Sequence, residues 1–325
     1  MTFNKKAIWI TWEFQVRNRS LSRELGVPLY EIVVENKTTM GRYIESIGKT
    51  ISLLRTQRPT IVFHQNPSIV LSFLLMCLKP IFGFERIVDT HNAGIYPAEG
   101  KYKALNYLGK LTSCRADLMI VHNKIIAKYV KSWGVQSIVL SDPLPKFDLF
   151  APVDVDPDVV VFVCRWSADE PYHEVIEAAR VLEVTESEVV IYITGKPPHT
   201  FDKSFLPSNV ILTGFLSDEE YVHLLRSASL LLVLTNRENS LNCGAYEALS
   251  LAKPCVLFDT KVLREFFGEA FIYSSLDSED LAGVMLDGLA HKSFFEKELV
   301  KSKERYVDSY RLELSKMVAS IPNLS

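Results

Sequence analysis

The stretch "LLLVLTNRENSLNCGAYEALSLAKPCVLF", Leu230 to Phe258, decides how this chain is read. An apolar run ends at Thr235, a polar interval follows over 236–241, and an alanine- and leucine-rich run over 242–252 then carries an acid, Glu247. A short aliphatic run followed by a run of helix formers predicts a strand over 230–235 and a helix over 242–252. "PCVLF" (254–258) is the next strand. Strand, loop, helix and strand in this order build a parallel sheet, whose ligands bind beyond the C-terminal strand ends. Residues 236–241 fall there. The helix start adds unpaired backbone N–H groups and a positive dipole end, which together attract an anion. Ser240, Cys243 and Gly244 are small enough to let a phosphate approach the backbone near Asn242. Glu247, about one turn further in, is placed to accept hydrogen bonds from sugar hydroxyls. The layout suits a diphosphate joined to a sugar.

The same alternation runs outward in both directions. Short β-branched runs at 159–164, 188–195, 209–214 and 270–273 accompany the opening stretch, and a helical tail is expected from about 277 to 319. Six further runs, at 7–12, 29–34, 60–65, 86–90, 117–122 and 137–140, are separated by helical patterns near 17–25, 39–57, 68–79, 101–114 and 123–133. Near-continuous apolar strands between helices predict parallel sheets covered on both faces. Between the two sets lies "SDPLPKFDLFAPVDVDPDV" (141–159), which has four prolines and no periodicity. The expected organisation is an N-terminal domain over 1–145, a linker over 146–158 and a C-terminal domain over 159–325, whose terminal helix is free to pack back on the first. Two doubly wound, Rossmann-like domains would face each other across a cleft.

At 325 residues, with 48% apolar and 23% charged residues, the chain reads as an ordinary globular protein of two domains. Its five cysteines show no CxxC or Cys/His spacing, which speaks against a structural zinc site and a disulfide framework. The first residues lack a signal-peptide pattern, and the apolar segment 68–84 is interrupted by Lys79 and Pro80 after about eleven residues, too few to span a bilayer. A cytoplasmic location is the expectation. Net charge is −3, yet residues 1–150 carry +9 and the remainder −12. The first half is therefore expected to face something anionic, such as a membrane surface or a phosphorylated substrate, unless the two halves simply attract each other.

"TNRENSLNCGAYEALSLAKP" resembles the donor-site segment of GT-B glycosyltransferases, particularly family 4. There two glutamates eight residues apart, written E-x7-E, precede an "EA…G.P" ending. Glu247 matches the second glutamate, and the first position falls on Asn239, with Glu238 one residue away. The resemblance extends over most of the chain. "VCRWSADEPYHEVIEAARVL" (163–182) is similar to the segment where an arginine and a lysine grip the donor diphosphate. Arg165 matches the arginine, Glu170 stands at the lysine position, and Lys196 in "TGKPP" is the candidate to supply the missing charge. "NVILTGFLSDEEYVHLLRSASLLLVL" (209–234) resembles the strand, loop and helix whose backbone holds the nucleobase, around Gly214 and Phe215. "VDTHNAG" (88–94) resembles the segment that carries a cleft-facing histidine, here His91.

The resemblance implies sugar transfer from a nucleotide-sugar to an acceptor hydroxyl, independent of metal or cofactor and with retention of anomeric configuration. His91, Glu238 and Asn239 are the catalytic candidates. The altered first glutamate leaves inversion open, with His91, Asp89 or Glu13 as the base. Glu13, Arg17 and Arg19 follow the first strand and are the candidates to hold an acceptor's phosphate. The basic first half and the apolar 68–84 segment suggest a lipid-linked saccharide acceptor, of the kind used in cell-surface polysaccharide synthesis, and peripheral attachment to the inner face of the plasma membrane. An inactive nucleotide-sugar-binding subunit and a sugar-nucleotide epimerase of the same fold remain alternatives. "DVDPD" (154–158) looks like a metal-binding DxD motif but sits in the linker, where a solvated acidic run is expected. No GxGxxG follows the first strand, so a dehydrogenase reading has no support.

Overall fold

The computed structural model describes residues 6–35, 38–66, 68–90, 92–95, 102–147, 159–185, 187–238 and 240–321. They form two compact units: Met1–Pro143 together with Asp308–Ser325, and Leu144–Val307.

In the first unit β1 (Ala7–Thr11), β2 (Leu29–Glu31), β3 (Ile61–Gln65), β4 (Glu85–Thr90), β5 (Leu118–Val121) and β6 (Ser137–Val139) pair in parallel, in the order β2-β1-β3-β4-β5-β6. Between them run α1 (Val16–Leu25), α2 (Thr39–Gln57), α3 (Ile69–Phe82), α4 (Asn92–Ile95), α5 (Lys103–Cys114) and α6 (Lys124–Lys131). Every residue of β1, β3 and β5 is buried, as covering both faces of a parallel sheet demands. On one face Trp9 and Phe63 stack at 5.3 Å. On the other, Ile8, Ile10 and Val62 pack with Leu71, Leu75 and Leu78 of α3.

The second sheet contains β7 (Val159–Phe162), β8 (Val190–Thr194), β9 (Val210–Gly214), β10 (Leu230–Val233), β11 (Cys255–Phe258) and β12 (Ile272–Ser274), in the order β12-β11-β10-β7-β8-β9. Its helices are α7 (Tyr172–Val184), α8 (Asp218–Ser227), α9 (Cys243–Leu251), α10 (Lys261–Phe267) and α11 (Ser278–Ala290). Phe162, Ile191, Leu230 and Val256 face Val175, Ala179 and Leu182 of α7 and Met285 of α11. Val161, Leu231, Val233 and Leu257 face Ala245, Ala248 and Leu249 of α9.

Two expectations need correction. The apolar helix near 68 does not stop before Pro80 but runs on to Phe82. Pro80 forgoes the bond to the Met76 carbonyl and its ring crowds that carbonyl, a cost confined to the helix's last turn, and Gly83 ends the helix at φ 73°. The tail from 277 is not one helix: His291 leaves helical geometry at φ −107°, ψ 18°, and α12 (Lys292–Ser320) starts afresh. Residues of α12 from Asp308 onward belong to the first unit, where Tyr310 donates to Glu24 and Glu313 accepts the backbone N–H of Ser141 at 2.9 Å.

In each sheet the chain starts in the interior, winds to one side and then restarts on the other. This reversal falls between β1 and β3 in the first unit and between β7 and β10 in the second. It opens a crevice beyond the C-terminal ends of those strands, where open α/β sheets take ligands.

Candidate active site

At the β7/β10 reversal, three strand ends are tied together. The loop after β7 turns through Trp166, a non-glycine residue at φ 63°, a conformation that costs energy unless its surroundings hold it. They do so in several ways. The Trp166 indole N–H donates to the Thr194 carbonyl at 3.0 Å, and the Thr194 hydroxyl accepts from the Cys164 N–H at 2.8 Å. Gly195 is forced by contact: a Cβ there would lie 2.4 Å from the Cys164 carbonyl oxygen, at φ 79°. On the β10 side, Asn236 N–H donates to the Asp169 carbonyl at 2.8 Å, and Arg237 pairs with the Asp169 carboxylate at 3.2 Å. Burial opposes the Asp169 charge, but Ser167 and Arg237 outweigh it and hold the carboxyl below its usual range.

The helices that leave these strands differ from their neighbours. Ser217 caps α8, Thr260 caps α10 and Asp277 caps α11. No side chain caps α7 or α9, which follow the two strands at the reversal. Asn242, at the cap position of α9, has a buried Oδ1 with no hydrogen-bond partner. Uncapped N-termini at a strand-end crevice are equipped to receive an anion. The sequence pattern identified the α9 turn but not the contrast among caps, which needs the register of each helix start.

Each expected residue can now be located. The Arg165 side chain is 84% exposed, with Nε 3.8 Å from Glu170. Glu170 turns inward: its carboxylate accepts the N–H groups of Arg165 at 2.8 Å and Ser167 at 2.9 Å. It fills with an internal acid the small nest that the left-handed Trp166 creates. Lys196 is exposed just beyond β8. Gly214 ends β9 at φ 71° and bridges to Gly195, so its rim meets that of β8, and Phe215 beside it is 88% exposed. Ser240 and Asn242 are half-buried and Cys243 is exposed. Glu238 is exposed in the loop, and Asn239 and His91 lie outside the described residues.

Glu247 is half-buried and accepts the Tyr221 hydroxyl at 2.6 Å. Burial raises its pKa, and the Tyr221 hydrogen bond offsets only part of that. Tyr221 sits on α8, too far back in sequence for local pattern to reveal. Gly244 is buried, and its Cβ would meet Val233 at 2.9 Å, so its small size lets α9 pack against β10.

The first-unit candidates are mostly corrected. Arg17 is buried, and its guanidinium forks onto Asp89 at 3.0–3.1 Å. It also pairs with Asp142 and donates to the carbonyls of Leu140 and Ser141. Burial would lower its pKa, but Asp89 and Asp142 raise it above the usual value. A cation committed to two carboxylates holds no acceptor phosphate. Asp89, fully buried and also bonded by Gln65 at 3.2 Å, is likewise withdrawn as a base. Arg19 forks onto Glu31 at 2.7 and 2.9 Å at the surface, and Glu13 is exposed. No helix among the described residues is long and apolar enough to cross a membrane.

Two six-stranded parallel sheets with flanking helices make up the GT-B fold seen in glycosyltransferase structures. Residues 149–297 match the family model described as glycosyl transferases group 1. HepE from Anabaena, solved with UDP and glucose, superposes with a TM-score of 0.73 at 13% identity, over 98% of this chain and 100% of that one. The sucrose-phosphate synthase of Thermosynechococcus elongatus gives the same TM-score and identity, over 98% and 99%. A UDP-forming trehalose-phosphate synthase from Burkholderia xenovorans gives 0.63 at 10% identity, over 90% and 81%. No curated protein sequence matches the chain.

Proposed function

We propose that the chain transfers a sugar from a UDP-linked donor to an acceptor hydroxyl with retention of configuration. The uncapped α7 and α9 at the β7/β10 reversal, rimmed by the exposed Arg165, carry this reading. As the glycosidic bond breaks, negative charge grows on the departing diphosphate. Helix N-termini and positioned cations lower that barrier without reorganising. Arg165 and Lys196 are the exposed cations on this rim, with Arg237 beside them paired to Asp169, and no metal ion is needed in this scheme. Glu247 orients the donor by accepting hydroxyl hydrogen bonds beside Tyr221. HepE, solved with UDP and with UDP-glucose, supports uridine as the donor's nucleoside. The charge split between the halves favours a lipid-linked saccharide as acceptor at an anionic membrane surface.

The test is a thermal-shift screen with UDP-, GDP-, ADP- and TDP-linked sugars, on wild type and Arg165→Ala, followed by transfer to an acceptor panel. A ligand at ~100 times its dissociation constant stabilises the fold by about 2.7 kcal/mol. A response to UDP-sugars weakened in Arg165→Ala is expected. Silence toward every nucleotide-sugar refutes the proposal, and donor interconversion without an acceptor makes the chain an epimerase.

A further inference from the structure

Between Lys101 and Gln136 the chain has seven basic residues and one acid, Asp117, and Asp117 is ion-paired to Lys79. Helical periodicity sorts these cations into rows. Lys103, Tyr107 and Lys110 stand at i, i+4 and i+7 on α5, and Lys124, Lys128 and Lys131 repeat that spacing on α6. All six are exposed, while Gly109, Thr112 and Ser113 of α5 and Ile126 and Val130 of α6 are buried. Neither helix contains a carboxylate.

The rows join through aromatic side chains. Lys110 Nζ lies 5.7 Å from the centre of the Trp133 ring, and Trp133 meets Tyr129 edge-on at 5.0 Å. Tyr107 is 70% exposed. One surface of the first unit therefore combines five lysines with two tyrosines and a tryptophan.

We infer that this α5–α6 face docks on an anionic lipid bilayer, with the lysines among the headgroups and the aromatic rings at their depth. Lysine stems lie along apolar surface while their ammonium groups reach water and phosphate. Tyrosine and tryptophan favour the membrane–water boundary because one end of each ring is apolar and the other polar. Nucleic-acid phosphate recognition would favour arginine forks, and neither helix has an arginine. The inference rests, for its purpose, on the lipid-linked acceptor proposed above, since docking would bring the protein to such a substrate.

Co-sedimentation with phosphatidylglycerol–phosphatidylcholine vesicles and with pure phosphatidylcholine vesicles, at low and high salt, tests it. Binding to the anionic vesicles alone, released by salt, is expected. Lys110→Gln, Lys124→Gln and Lys128→Gln combined should lower partitioning on the order of 100-fold, at about fivefold per lysine. The control set Lys203→Gln, Lys261→Gln and Lys297→Gln, on the second unit, should bind as wild type does. Tyr107→Trp should be quenched by brominated acyl chains in anionic vesicles. Indifference to lipid charge, undiminished binding by the α5–α6 variant, or absence of quenching with a preference for single-stranded DNA each overturns the inference. UDP binding on the same samples separates this failure from failure of the donor-site reading.

Discussion

At the β1/β3 reversal the chain brings Arg17 and Asp89 together and buries both, whereas at the β7/β10 reversal Arg165 stays 84% exposed and Arg237 56% exposed. Both places lie beyond the ends of parallel strands and both are rich in charge. In the first, the cation meets two carboxylates and two carbonyls of its own unit, and its demand is met within the fold. In the second, Glu170 spends its carboxylate on the backbone N–H groups of Arg165 and Ser167 and leaves the Arg165 guanidinium facing solvent, while Arg237 keeps a half-exposed pair with Asp169. Topology offers a crevice to each sheet, and the pairing of charges decides whether a cation there is spent within the fold or left toward solvent.

The largest effect should come from breaking the closed side. Arg17→Met leaves Asp89 buried without its cation, a change that typically costs about 3–5 kcal/mol. Urea unfolding, followed by hydrogen exchange over β1, β3 and β4, should report the loss there, while UDP binding by the second unit persists. A loss confined to the second unit would break the comparison. Next, Arg165→Ala on the open side should weaken UDP binding by about 1.5–3 kcal/mol, the range for hydrogen bonds to charged groups. Calorimetry should register it with no change in melting temperature. A fall in melting temperature without loss of affinity would make Arg165 structural.

Glu247 sharpens the contrast through pH. Its folded pKa is raised, so over the interval between its unfolded and folded pKa values the native state holds more protons than the unfolded state. Stability from this group is therefore greatest below the unfolded pKa and falls as pH rises through the folded one. Glu247→Gln should flatten that part of the stability–pH curve and leave the neutral-pH melting temperature equal or higher. A lower melting temperature at neutral pH would contradict the burial argument. The smallest effect belongs to Arg19→Ala. Its pairing with Glu31 is at the surface, where water and salt screen it, and no change in melting temperature is expected.

All twelve strand positions were legible in sequence because both sheets are parallel with buried central strands, so most strands are apolar runs between helical patterns. Residues 230–258 were legible for the same reason, since strand, turn and helix start are all local. What escaped was long-range. Arg17 and Asp89 are 72 residues apart, and nothing near Arg17 in sequence announces a buried partner. The Thr235–Asp169 contact spans 66 residues and the Tyr221–Glu247 bond 26. Gly244 was read for its small size, correctly, but what occupies the missing volume is Val233, which only packing reveals.

The end of α12 has a consequence for synthesis. The first unit includes Asp308–Ser325, whereas the second is continuous from Leu144 to Val307. Met317 and Ile321 are buried, and Tyr310 and Glu313 are bonded into the first unit. On the ribosome, domains fold as units once their residues have emerged. The unit that is begun first is thus completed last, after the whole of the second has been made. A chain cut short before Asp308 should leave its damage at the opposite end of the sequence, in the sheet that contains β1.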